Sequence, residues 1–450
     1  MQTMDRDFEL SMDWLDLGNS SPEEMATSGM LKIRFKKWYA SRHYDLASKT
    51  LVDSARVSAY PMALWAAYNW WRLNYEPYSG ASYHWKSAHD LPAADSGYVW
   101  PPLRIVSSGE TVSLRIMPPV EKETMADAQY ASTAWGLTLP RVQFERELSN
   151  FIHMIITRLT DTGHQETELH TLWQDVCRER QDDDYTFYRI LEACLGHNPD
   201  KGPELLINKL ADHEATAGRQ AVIEIAVGMS KEAGDINKAD DLSNILSIEG
   251  QGVLGKFNYG GFEPAIVIDP KSDKPWEIGH HMARDLRKRL GLNGRPVDDD
   301  LMAELLELPR GTISSSDVVQ PLRRVNMSLG IPDDDGGVHF CLHRPERSAR
   351  RFYLSRLLGE HLLNTKSPGN WLPATFGATW HQKYQRAFAS ELLCPIEVLK
   401  DRLGSDGFDD DGYEIERVAH DYGMGTFAVM NHWSYNQPKA SDFFEDKYAQ

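Results

Sequence analysis

Residues 348–395 constrain this 450-residue chain more than any other stretch. The first part reads Ser348-Ala-Arg-Arg-Phe-Tyr-Leu-Ser-Arg-Leu-Leu-Gly-Glu-His-Leu-Leu363. Its spacing predicts a helix, with Phe352, Ser355, Gly359 and Leu362 along one side and Leu354, Leu358 and His361 along the adjacent one. After a loop comes Gln382-Lys-Tyr-Gln-Arg-Ala-Phe-Ala-Ser-Glu-Leu-Leu-Cys-Pro395, a second helical pattern that stops at a proline.

The lead-in Arg350-Arg351-Phe352 and the run Phe388-Ala389-x-x-Leu392-Leu393-x-Pro395 together resemble the core of the ImmA/IrrE family of zinc peptidases. In that family an Arg-Arg-Phe lead-in precedes a His-Glu-x-x-His helix, and a later Glu precedes Phe-Ala-x-x-Leu-Leu-x-Pro. Aligning on Arg351, Phe352 and Gly359 puts Arg356 at the first His, Leu357 at the Glu and Glu360 at the second His. Aligning on Phe388 and Pro395 puts Gln382 at the third-ligand Glu. The scaffold matches while each chemical position differs.

The chemistry depends on the missing residues. Two His at i and i+4 share a helix face and converge on one Zn²⁺, and the adjacent Glu serves as general base on the metal-bound water. Leu357 cannot accept a proton, and Arg356 carries a permanent charge that repels a cation. A one-residue slip brings in His361, but its i−4 partner is then Leu357 again. The resemblance therefore implies a degenerate peptidase with no catalytic residue, no metal and no cofactor. An Arg356–Glu360 ion pair at i, i+4 is expected across the old metal position. The implied cleft is lined by Arg351, Arg356, Glu360, His361, His381 and Gln382.

Elsewhere the sequence excludes several classes. No apolar run reaches eighteen residues, so no membrane-spanning helix is expected, and the acidic start lacks the apolar core of a secretory signal. Cys177, Cys194, Cys341 and Cys394 stand singly and read as buried free thiols of a reducing cytosol. A net charge of −18 disfavours direct nucleic-acid binding, which needs a basic face. Arginine clusters at 344–351 and 284–289 read as solvated helix faces. Asp-Asp-Asp runs at 182, 298, 333 and 409 lack calcium-loop spacing and read as loops or helix N-caps.

In chain order, residues 1–28 read as a flexible acidic tail and 29–128 as an aromatic-rich α+β domain. Strands are predicted at Leu31–Phe35, Val99–Trp100, Leu103–Val106 and Val112–Ile116, and a helix opening at Ser58 with Pro61 in its first turn. Trp65, Trp70, Trp71, Trp85 and Trp100 read as core rather than a stacking surface. Residues 140–256 read as an all-helical domain. Residues 262–436 read as the zincin-like, ImmA/IrrE-type α+β domain, with a strand at Ala265–Asp269, a helix at Trp276–Leu292 and a strand at Val338–His343. The neighbours His280 and His281 point about 100° apart on a helix and do not form a metal pair. Glu414–Trp433 resembles the family's closing helix–turn–helix, and 437–450 reads as a polar tail.

The expected fold class is therefore multidomain α+β. The expected function is that of a bacterial, cytoplasmic regulatory or interaction protein with a protein or peptide partner, in a stress-response or phage-defence setting. The competing expectation is an active hydrolase with ligands recruited from elsewhere, for which Glu360, His361, His381 and Gln382 are the polar candidates.

Overall fold

The computed structural model describes residues 7–15, 18, 21–80, 82–94, 96–117, 128–130, 135–230, 252–262, 274–315, 327–364, 369–404 and 413–436. The chain is α+β, and its strands pair antiparallel. It divides into two compact units, Met1–Gly202 and Pro203–Gln450.

The N-terminal unit starts with a strand, Phe8–Trp14, where a loose tail is expected. It pairs antiparallel with Ser28–Phe35 in a register running from Phe8 opposite Phe35 to Trp14 opposite Gly29. The alternation that builds it is plain in Phe8-Glu-Leu-Ser-Met12, whose Phe8 and Met12 are buried. A short helix, Pro22–Ala26, follows, capped by Ser21 and opened by Pro22. Acidic composition concealed both elements. Strands Leu103–Ser107 and Thr111–Ile116 form as expected, whereas Val99–Trp100 is not a strand, since Pro101 and Pro102 follow without donors.

The tryptophans are core: Trp70, Trp71 and Trp85 are almost completely buried. Trp70 meets Trp173 edge-on at 5.0 Å, which ties the Trp70–Tyr75 helix to Glu168–Glu179. Arg189 on Asp183–Cys194 pairs with Glu179 of the neighbouring helix and with Glu192 of its own. The helices Arg141–Asp161, Glu168–Glu179 and Asp183–Cys194 thus belong to this unit.

Helices Glu204–Asp212 and Arg219–Gly228 belong to the other unit, so the described helices of 140–256 divide between the two. Amphipathic spacing shows that a helix has a face to bury, and it does not say against what. In the C-terminal unit a four-stranded sheet has the order Val253–Gly255, Val338–Cys341, Ser328–Pro332, Leu372–Ala374. Helices Pro275–Arg289, Arg347–Leu363 and Trp380–Leu393 pack with it around a core that includes Phe340, Leu357, Leu358, Phe388 and Leu392. Helices Tyr413–Asp421 and Thr426–Asn436 close the described chain. The expected strand at 265–269, the Asp run at 409 and the tail 437–450 lie outside the described residues.

Two expectations about charge divide. Asp182 and Asp298 are N-caps, accepting from Tyr185 N and Leu301 N. The arginines of the two clusters are in part buried rather than solvated. Arg287 donates to Leu392 O and Arg295 O, Arg350 to Ile313 O and Pro345 O, and Arg351 to Val297 O and Gly423 O. Loop carbonyls that water cannot reach need donors, and the guanidinium fork supplies several at once. Cys194, Cys341 and Cys394 are buried free thiols and Cys177 is half-buried.

Candidate functional site

Contacts at Gly359 bring the site helices close. A Cβ on Gly359 would lie 2.7 Å from Phe388 Cδ1, so only glycine lets Arg347–Leu363 lie this near to Trp380–Leu393. Tyr384 closes the same contact by donating its hydroxyl to Gly359 O at 3.1 Å. The second helix starts at Thr379, whose hydroxyl accepts from Gln382 N at 3.1 Å, and it ends before Pro395. Positions 356 and 360 therefore face 381, 382 and 385.

The side chains there form one buried polar cluster. Arg356 donates to Thr375 O at 2.7 Å and to Gln382 Oε1. Gln382 Oε1 also accepts from Thr375 N at 2.7 Å, while its Nε2 donates to Pro373 O at 3.0 Å. Glu360 binds His381 Nδ1 at 2.8 Å and accepts from Asn364 at 2.7 Å and Gln385 at 3.0 Å. Gln385 Nε2 reaches Pro373 O as well, at 2.9 Å.

A further carboxylate enters from Arg219–Gly228. Glu224 accepts from Thr379 Oγ1 at 2.8 Å and from Gln220 at 3.0 Å. That helix lies on the Leu372–Ala374 strand, where a Cβ on Gly228 would touch the Thr375 side chain at 3.0 Å. None of Glu224, Arg356, Glu360, His381, Gln382 and Gln385 is more than 7% exposed. The expected cleft is therefore a filled interior.

Burial sets the electrostatics. It pushes Arg356 down to about 10, with Arg386 adding, against Tyr353, Glu224 and Glu360; the guanidinium stays charged at neutral pH. Burial raises the Glu224 carboxyl, with His381 and Thr379 acting the other way. Burial would also raise Glu360, but His381, Gln385 and Asn364 outweigh it and hold the carboxyl below its usual range.

Four of the residues singled out in the sequence converge: Arg356, Glu360, His381 and Gln382. Leu357 faces the apolar core. Arg351 serves loop carbonyls, and His361 stacks on Phe257 at 4.0 Å with Tyr259 Oη 3.4 Å away, so neither joins the cluster. The expected Arg356–Glu360 ion pair is not formed. Arg356 turns to the Thr375 backbone and Gln382, while Glu360 is taken by His381, Asn364 and Gln385. Sequence reading missed Gln385 and Glu224. The available signal was a lone carboxylate inside the apolar run Ala221-Val-Ile-Glu-Ile-Ala-Val227.

Chemically, the Glu360–His381 pair can hold a proton. Among the described residues, however, Glu224, Glu360 and His381 do not gather their ligand atoms within reach of one ion. No family model, no curated protein and no solved structure matches the chain.

Nearby histidines predict how stability follows pH. Burial pushes His361 down to about 4, and burial together with Arg344 and Arg356 pushes His343 down to about 3. Both are neutral when folded and take up protons on unfolding below their ordinary value of about 6.5. The unfolded state then binds more protons, so stability falls as pH drops from about 6.5 toward 4 and 3. Thermal unfolding should show a flat midpoint above pH 7 and a decline below 6.5. His361→Gln should flatten the upper part of that decline; an unchanged slope would contradict the assignment.

Proposed function

We propose that residues 262–436 are a degenerate ImmA/IrrE-type peptidase domain and that the chain is a regulatory or interaction protein rather than a hydrolase. Its setting is the bacterial cytoplasm, in a stress-response or phage-defence system, and its partner is a protein or peptide. No described helix is long and apolar enough to cross a membrane. The reading rests on motif resemblance, and one observation carries it furthest. Residues 356, 360 and 382, aligned with the three zinc ligands, lie around one buried spot, and a charged guanidinium fills it. A cation brought there meets a fixed positive charge, and no residue at position 357 can activate water.

The test converts the three positions back. Arg356→His, Glu360→His and Gln382→Glu are introduced together in a His280→Gln, His432→Gln background, which removes a second metal candidate treated below. Zinc is counted per chain after dialysis. The background protein should hold none and the converted one about one equivalent. Failure of the folded, converted protein to gain zinc overturns the alignment. Zinc-dependent peptide cleavage by the wild type, lost on Glu360→Gln, overturns the inactivation and favours a hydrolase.

A further inference from the structure

A second cluster lies apart from the residues discussed above. His280 stands on Pro275–Arg289, Glu391 on Trp380–Leu393 and His432 on Thr426–Asn436. Each offers one ligand atom, and the three atoms lie within 4.8 Å of one another. Glu391 Oε2 is 3.2 Å from His432 Nε2, and the two imidazoles meet at 5.3 Å between centroids. We infer that these three residues bind a divalent first-row transition-metal ion that ties the three helices together.

Several features favour a ligand over plain packing. Glu391 and His432 are almost completely buried, and His280 is 9% exposed. Among the described residues His432 Nε2 is buried and faces only the Glu391 carboxylate, at 3.2 Å. A buried imidazole nitrogen without a well-aligned hydrogen bond is costly, and a metal ion shared with Glu391 would satisfy it.

The carboxylate is held as a ligand needs to be. Arg284 donates to Glu391 Oε1 at 2.7 Å, and Ile396 N donates to Oε2 at 3.1 Å. These contacts fix the carboxylate plane while leaving its His432-facing side available. Asn436 lies 3.4 Å from His432 Nδ1. The Asn436 amide nitrogen donates to His432 O at 2.8 Å, which fixes its orientation.

Ligand atoms around one zinc at about 2.1 Å stand roughly 3–3.5 Å apart, so side-chain rotations of about an ångström complete the site. Two imidazoles with one carboxylate suit zinc, iron or nickel rather than calcium or magnesium. Three protein ligands leave a further position to water. The burial of the triad makes the ion a structural tie.

The test uses the full chain, stripped with a chelator and titrated with Zn²⁺. Wild type should take up about one equivalent and gain roughly 5 °C in unfolding midpoint at a hundredfold excess over Kd. His280→Gln and His432→Gln should each lose both effects, whereas Arg356→Met should keep them. Co²⁺ on the wild type gives a check that needs no variant: visible ligand-field bands without thiolate charge transfer, because Cys394 is not a ligand. A folded wild type that takes up no metal overturns the inference. So does uptake unchanged in both His variants, or a thiolate band with Co²⁺.

Discussion

Glu360→Ala is expected to destabilise the C-terminal unit by about 3–5 kcal/mol. Glu360 is the carboxylate that His381, Gln385 and Asn364 all address, and it lies where water does not reach. Its loss leaves these donors buried without their acceptor and removes one of the negative charges that offset Arg356. Arg356→Met makes the contrast. The guanidinium binds two neutral acceptors, and its Nε finds no partner among the described residues. An apolar side chain of similar length should therefore cost less than about 1.5 kcal/mol. Denaturant melts of the two variants decide the matter. Equal losses would mean that Arg356 and Glu360 act as one ionic unit despite their separate partners.

Gly279→Val is expected to cost about 3 kcal/mol or more, for a steric reason. A Cβ at Gly279 would meet Tyr384 O at 2.7 Å, Phe388 N at 2.9 Å and Ala387 Cβ at 3.0 Å. Two of these are backbone atoms that cannot rotate aside. The gain of roughly a few tenths of a kcal/mol in helix propensity from replacing glycine by valine does not offset such a clash. Gly369→Ala is the control, since nothing lies within 4 Å of its added Cβ, and it should change stability by less than about 0.5 kcal/mol. A Gly279→Val loss no larger than the control's would mean that helices Pro275–Arg289 and Trp380–Leu393 have room to slide apart.

How far the sequence carried depends on the range of the interaction. Helix Arg347–Leu363 and strands Leu103–Ser107 and Thr111–Ile116 are local in origin, and periodicity located them. Arg356 meets Gln382 and Glu360 meets His381 because two helices and one crossing settle their positions. What failed was partner choice at long range. Nothing near Glu224 says that its carboxylate reaches Thr379, and nothing near His432 says that it meets His280. The Arg356–Glu360 pair failed for the same reason: neighbouring strands and the facing helix offered each residue other partners. The Phe8–Trp14 strand was legible as alternation but hidden by average charge.

Among the described residues, the strand Leu372–Ala374 is the last of its sheet, and its outer side has a consequence for assembly. Its pairing with Ser328–Pro332 uses one side only. On the other, Pro373 has no N–H to give, and its carbonyl already accepts from Gln382 and Gln385. Thr375, next in line, spends its N–H on Gln382 and its carbonyl on Arg356. Side chains therefore occupy the hydrogen-bonding groups that an arriving strand would need. Neither an extended peptide nor a second copy of the chain can lengthen the sheet there without first displacing them.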